Sequence, residues 1–262
     1  MTYLPYVEHG DPDGIPVVML HGVTDSWRSF EPVLPHLPDS IRAIAVTQRG
    51  HGDAPKPDGG YLIEDLAADV VELMDDLELG PAIVVGHSMG SWVTQRIAID
   101  HPERLLGVVL AGSFSGTPSD DPALVRLGHE MAALQDPIPA QVAREFQEGT
   151  VATPLTPEAL DTFVSESLKV PAHVWRATFT GFLEVNNADE LENVTTPALL
   201  VWGDEDAFIS RDVQDGLLDA LSDSRLNVYE GVGHAVHWEQ PERFAADVVE
   251  FSRYCAGQPL SR

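Results

Sequence analysis

Apolar positions follow two rhythms along this 262-residue chain. Short, nearly continuous apolar runs at Val17–Leu20, Ala43–Val46, Ala82–Val85, Leu105–Leu110 and Leu199–Trp202, with a shorter one ending at Tyr229, are bounded by glycine, proline or polar residues. Such runs read as strands buried on both faces. Between them lie stretches with helical spacing. In Tyr61 to Leu79, residues Leu62, Leu66, Val70, Leu73 and Leu77 recur every three or four positions, which predicts an amphipathic helix covering one sheet face. A helix from Met89 to about Asp100 stops at His101-Pro102, because the residue before proline avoids the helical region. Trp27 to Leu37 reads as a further helix. Tyr3 to His9, the turn Asp11-Pro12-Asp13-Gly14 and Val17 to Leu20 read as a hairpin at the sheet edge. Strands alternating with helices predict an α/β fold, a doubly wound, mostly parallel sheet whose site lies at the carboxyl ends of the strands.

From about residue 115 to 190 the pattern changes to helical segments without a clear strand. Prolines 122, 137, 139, 154, 157 and 171 divide this stretch into four short helices, with breaks near Asp136, Thr153 and Val170. The expected organisation is a core of residues 1–114 and 191–262 with an inserted helical cap, 115–190. A cap over a site excludes water and shapes a pocket. Its lining is expected among Leu127, Met131, Phe146, Phe163, Trp175, Phe179 and Phe182, although packing between cap helices accounts equally well for any one of them. As a group they argue for an apolar substrate.

The chemistry concentrates where strands end. The strand Ala82–Val85 runs directly into Gly86-His87-Ser88-Met89-Gly90 and then into a helix. The glycines permit a sharp strand-to-helix turn that lifts Ser88 onto a strained tip. A serine hydroxyl is a weak nucleophile alone and needs a base, an acid to orient it and an oxyanion hole. Leu199–Trp202 leads into Gly203-Asp204-Glu205-Asp206, and the run ending at Tyr229 leads through Gly231-Val232-Gly233 to His234. The order Ser88, Asp206, His234, together with Leu20-His21-Gly22-Val23, resembles the α/β-hydrolase superfamily, over a span from Val17 to about Phe251.

That resemblance implies roles. Ser88 corresponds to the nucleophile, His234 to the general base and Asp206 to the acid, three residues beyond Gly203. Asp204, one strand step nearer, remains an alternative acid. His237 shares the loop of His234; beside Trp238 and near a helix start, it reads better as a pocket-rim or packed histidine. The backbone N–H groups of Val23 and Met89 correspond to the oxyanion donors. Trp27, on the element that Asp25-Ser26 would cap, is expected to contact substrate. Gln48 stands where the family usually has aspartate, which puts a loop-bracing interaction in doubt. The short lead before Tyr3 implies seven strands where relatives often have eight.

Charge and composition narrow the partners. With 42 acidic and 15 basic residues, the formal net charge of −27 repels phosphate backbones and anionic lipid, so neither nucleic acid nor membrane is expected as a partner. No apolar run approaches the roughly 20 residues that cross a bilayer. The start Met1-Thr2-Tyr3-Leu4-Pro5 lacks a signal-peptide pattern, and the expected location is cytoplasmic. Cys255 is the only cysteine, so no intramolecular disulfide forms. His234-x-x-His237-x-Glu239 does not match a zinc-protease motif, and no metal or cofactor is expected. The expected activity is hydrolysis of a small-molecule partner, a carboxylic ester or lactone with an apolar body, through an acyl-enzyme on Ser88. Carbon–carbon bond hydrolysis, cofactor-free peroxidase chemistry and a non-enzymatic ligand receptor are the alternatives, and self-association as a homo-oligomer is left open.

Overall fold

The computed structural model describes residues 3–116, 122–184 and 186–258. Seven strands form one sheet in the order β1-β3-β2-β4-β5-β6-β7. They are β1 (Tyr6–His9), β2 (Ile15–Leu20), β3 (Ile41–Val46), β4 (Ala82–His87), β5 (Leu105–Ala111), β6 (Ala198–Gly203) and β7 (Ser224–Tyr229). Every neighbouring pair is parallel except β1 with β3.

That exception corrects the expected hairpin. The tight turn forms, with the Gly14 N–H donating to the Asp11 carbonyl at 2.8 Å, yet β1 and β2 do not pair. Val17 to Leu20 are buried on both faces, so β2 takes a parallel partner on each side, β3 and β4. The shorter, half-exposed β1 is left to the outer edge of β3. An edge position suits a strand with only one side to satisfy.

Side-chain alternation along the strands sends residues into two separate layers. Val18, Leu20, Val84 and Leu200 face a layer built with helix α1 (Ile63–Asp76) and helix α2 (Met89–Asp100). Val17, Met19, Val85 and Val201 face the other, where Phe30 and Phe244, Val248 and Phe251 of the C-terminal helix pack. Trp27 to Leu37 does not form the expected α-helix; it makes two 3₁₀ turns, Trp27–Phe30 and Leu34–His36. Pro32 and Pro35 lack the N–H that an α-helical ladder would require there.

Among the described residues, the insertion that follows β5 holds four helices: α3 (Pro122–Ala132), α4 (Ala140–Glu148), α5 (Pro157–Ser167) and α6 (Ala172–Glu184). Their breaks fall where the prolines place them. The two ends of this insertion meet at a neck, where Gly116 bridges Asn186 and the Asn187 N–H donates to the Ser115 carbonyl at 2.8 Å. The chain continues with α7 (Ala188–Leu191), α8 (Arg211–Ala220), α9 (Val236–Glu239) and α10 (Pro241–Cys255). Among the described residues, no helix is long and apolar enough to cross a membrane.

Candidate active site

The central strand β4 ends at His87, and α2 starts at Met89, so Ser88 alone makes the turn. Its backbone sits at φ +50° and ψ −116°, a conformation L-residues rarely adopt. The surroundings hold it there. The Ser88 N–H donates to the Ala111 carbonyl at 2.9 Å, and its own carbonyl accepts from the Ser91 N–H at 2.9 Å and the Ser91 hydroxyl at 2.6 Å. Both flanking glycines are required by space. A Cβ on Gly86 would run into the Gly90 carbonyl, and one on Gly90 into the Leu20 carbonyl of β2.

The loops after β6 and β7 bring Asp206 and His234 together. Asp206 Oδ2 lies 2.8 Å from His234 Nδ1, while its Oδ1 accepts from the N–H groups of Phe208 at 2.8 Å and Ile209 at 3.0 Å. The carboxylate is fully buried, and the backbone N–H groups on Oδ1 turn Oδ2 toward His234. With Nδ1–H donating to Asp206, the lone pair of the imidazole resides on Nε2. Asp204 serves elsewhere: its Oδ1 accepts from the Gly231 N–H at 2.6 Å and braces the loop that carries His234.

The loop after β2 is braced at its upstream end. His21 donates from Nδ1 to the Gly22 carbonyl at 2.7 Å and accepts at Nε2 from the Gln48 N–H at 3.0 Å. The Gln48 carboxamide donates in turn to the His21 carbonyl at 2.8 Å, so the amide braces this loop where an aspartate was anticipated. Val23 lines the cavity above Ser88, and Thr24 adopts φ +69°. Met89 is the first residue of α2, so its N–H has no acceptor within the helix and lies at the positive end of the helix dipole.

Ser88, His234 and Val23 open onto one cavity of about 150 Å³. Leu127, Phe146, Phe179 and Phe182 of the inserted helices supply much of its wall, with Phe114, Phe208 and Trp238 from the core. The remaining expected pocket residues are elsewhere. Trp175 is fully buried between helices, against Phe146 and Phe179. Met131 is buried where α3 packs on α6, and Phe163 stacks on Trp238 with ring centroids 3.9 Å apart. Trp27 packs toward the opposite layer under the Arg28 guanidinium, because the 3₁₀ turn replaces the helix that was to present it to the pocket.

His237 likewise lies behind the wall. It is packed among Phe30, His87, Trp238 and Phe244, with Nε2 2.9 Å from the Ser29 hydroxyl. Burial, reinforced by nearby His234, pushes its pKa down to about 3. Of the cavity residues that sequence reasoning missed, Phe208 and Trp238 sit two positions after Asp206 and four after His234, where adjacency in the same loops was the available signal; Phe114, Gln147 and Thr150 carried no such signal.

One polar region interrupts the aromatic wall, made by Asp25, Gln147 and Thr150. Burial raises the Asp25 pKa to about 7 against the opposing pull of hydrogen bonds from Gln147 and Ser29. Among the described residues, no group of three histidine, cysteine, aspartate or glutamate side chains is placed to hold a metal ion.

A family model described as the alpha/beta hydrolase family matches residues 17–247. The chain is 27% identical to a non-heme chloroperoxidase of Streptomyces lividans, over 95% of this chain and 96% of that protein. It is 26% identical to 3-oxoadipate enol-lactonase 2 of Acinetobacter baylyi, over 92% and 90%. Its structure also superposes on that of an esterase from Rhodococcus with a TM-score of 0.84 and 25% identity, covering 96% of this chain and 94% of the other.

Proposed function

Because the chain belongs to the alpha/beta hydrolase family, we propose that it cleaves a carboxylic ester or lactone with a compact apolar body through an acyl-enzyme on Ser88. The observation that carries this reading is His234, held 2.8 Å from the buried Asp206 carboxylate and opening with Ser88 onto one aromatic cavity. His234 Nε2 takes the Ser88 proton as the oxygen attacks the substrate carbonyl. The carbonyl electron pair moves onto oxygen, where the N–H groups of Val23 and Met89 donate to it. Asp206 stabilises the imidazolium, His234 returns its proton to the leaving alcohol, and water repeats the sequence to release the acid. The inserted helices act as a cap that keeps bulk water from the acyl-enzyme.

Cavity size supports a small substrate. The cavity of about 150 Å³ has room for a group the size of a benzene ring beside Ser88, which supports an aryl or short branched acyl group as the preferred occupant. The lactonase and esterase relatives support the same reaction class. The chloroperoxidase relative supports a second reading, peroxidase chemistry on the same residues, which shares the Ser88 acyl step when the attacking group is hydrogen peroxide.

The test is a panel of nitrophenyl esters of increasing acyl length with several lactones, comparing the native enzyme with Ser88→Ala. Turnover that peaks at short or aryl acyl groups and disappears in the folded Ser88→Ala protein is the expected result. Turnover that survives the substitution overturns the assignment.

A further inference from the structure

The acyl-transfer scheme uses Ser88, His234, Asp206 and two backbone donors, and leaves unexplained a set of connected polar side chains buried beside them. Gln147 of α4 is their hub. Its Nε2 donates to Asp25 Oδ1 at 2.9 Å and lies 2.7 Å from Ser167 Oγ and 3.3 Å from Thr24 Oγ1. The hydroxyls of Thr24 and Ser167 are 3.1 Å apart, and the Ser167 hydroxyl donates to the Phe163 carbonyl at 3.1 Å. One N–H of the carboxamide thus serves Asp25, and the other serves the hydroxyl pair. Thr24, Asp25, Gln147 and Ser167 are all buried.

This contact falls on the loop that carries the oxyanion donor. Thr24 adopts φ +69°, which a β-branched residue avoids unless its surroundings over-determine it. The His21–Gln48 brace holds the upstream end of the loop. Among the described residues, polar side chains reach Thr24 at the downstream end only from the inserted helices, through Gln147 and Ser167. The chain just beyond α4 also meets the loop of His234: the Thr150 carbonyl accepts from the Ala235 N–H at 2.8 Å. Glu239 accepts there from the N–H groups of Gly233 at 2.7 Å, Ala152 at 3.1 Å and Thr153 at 2.7 Å. A buried polar hub in an aromatic wall is costly to maintain unless it specifies a geometry.

We infer that Gln147 is a positioning residue of the oxyanion hole, whose carboxamide holds Thr24 and Asp25, and through them the Val23 N–H, in register with Ser88. The seat of the inserted helices is thereby coupled to the oxyanion-binding geometry. This inference rests on the acyl-transfer reading proposed above.

The probe is phenyl trifluoromethyl ketone, followed by fluorine NMR, with acetophenone as the unreactive match. Ser88 Oγ adds to the activated carbonyl carbon, its proton passes to His234, and the carbonyl π pair becomes the oxyanion of a hemiketal. The native enzyme is expected to form this adduct and Ser88→Ala not to. Gln147→Leu is expected to weaken the adduct by about tenfold or more, below the 10²–10³-fold cost of deleting one oxyanion donor, while acetophenone binding stays within about threefold. On the best ester of the panel, kcat falls by the same factor as adduct affinity, and KM does not.

Ser167→Ala, which removes one of the two polar partners of Thr24 but keeps the Gln147 bonds to Thr24 and Asp25, is expected to give a smaller loss with the same selectivity, and it carries the test should Gln147→Leu fail to fold. A third readout is the pH dependence of adduct formation. The groups facing Asp25 are Gln147 and Ser29 by hydrogen bond, His234 and Glu166 by charge, and His237 beyond Ser29. Removing the Gln147 donor is expected to move the Asp25 ionisation to higher pH. A native enzyme that forms no adduct overturns the acyl-transfer reading and this inference with it. An adduct equally strong in Gln147→Leu and Ser167→Ala, or one weakened in step with acetophenone, overturns the inference alone.

Discussion

Asp206 and Asp204 are two residues apart, yet only Asp206 meets His234, at 2.8 Å, while Asp204 turns to the Gly231 N–H. The two carboxylates therefore separate cleanly on substitution. Asp206→Asn removes the charge that stabilises the imidazolium and is expected to lower kcat by about 10⁴-fold, as in other triads. Asp204→Asn weakens only a loop brace and is expected to lower kcat by about tenfold or less. Steady-state rates on one ester decide the matter, and a larger loss in Asp204→Asn would reassign the acid.

Gly112 tests how tightly the imidazole is seated. Its φ is +53°, and a Cβ there would lie 2.9 Å from both Cε1 and Nδ1 of His234. Gly112→Ala is expected to displace the ring and lower kcat by about tenfold or more, since small misplacements of reacting groups are costly. Thermal melting of the same variant checks that the sheet survives. Unchanged kcat in Gly112→Ala would show that the ring tolerates displacement.

The aromatic wall sets substrate size. Phe146 and Phe182 line the cavity from two different inserted helices, and Phe182 also meets Trp92 edge-on with centroids 5.0 Å apart. Phe146→Ala and Phe182→Ala each open space without touching Ser88. The ratio of kcat/KM for a long-chain to a short-chain ester is expected to rise by about tenfold, the scale of a methylene or two in an apolar pocket. An unchanged acyl-length profile in both variants would remove these residues from the specificity wall.

Buried histidines make the fold acid-sensitive. Burial holds His21 and His87 well below the usual histidine value, His51 at about 4 and His237 at about 3. Below about pH 6.5 the unfolded chain takes up protons at these positions and the folded chain does not, so stability falls as pH drops. Asp25 acts oppositely. Its folded pKa near 7 means that between about pH 4 and 7 the folded state keeps a proton the unfolded state has lost, so its contribution falls as pH rises. Four groups oppose one, and Tm is expected to be lower at pH 5 than at pH 7. Asp25→Asn removes the opposing group and is expected to steepen that drop; a Tm independent of pH over this range would refute the assignment of neutral histidines.

What the sequence by itself determined about this protein rests on neighbours along the chain. Gly86-x-Ser88-x-Gly90 after an apolar strand specifies a strained turn, because that conformation depends on the absence of two adjacent Cβ atoms. Prolines divide the insertion into four helices, and the order Ser88, Asp206, His234 follows strands β4, β6 and β7. The tertiary structure decided which groups meet across long separations. Only the packed sheet leaves β1 beside β3, because β2 is buried and already paired on both sides. Only the closed loops turn Asp206 and not Asp204 toward His234, and seat Trp27, Met131, Trp175 and His237 in packing layers while Phe208 and Trp238 face the cavity. Gln147 reaches Asp25 across 122 positions of chain. Local periodicity carries no information about such a contact, because it depends on where two independently specified elements come to rest against each other.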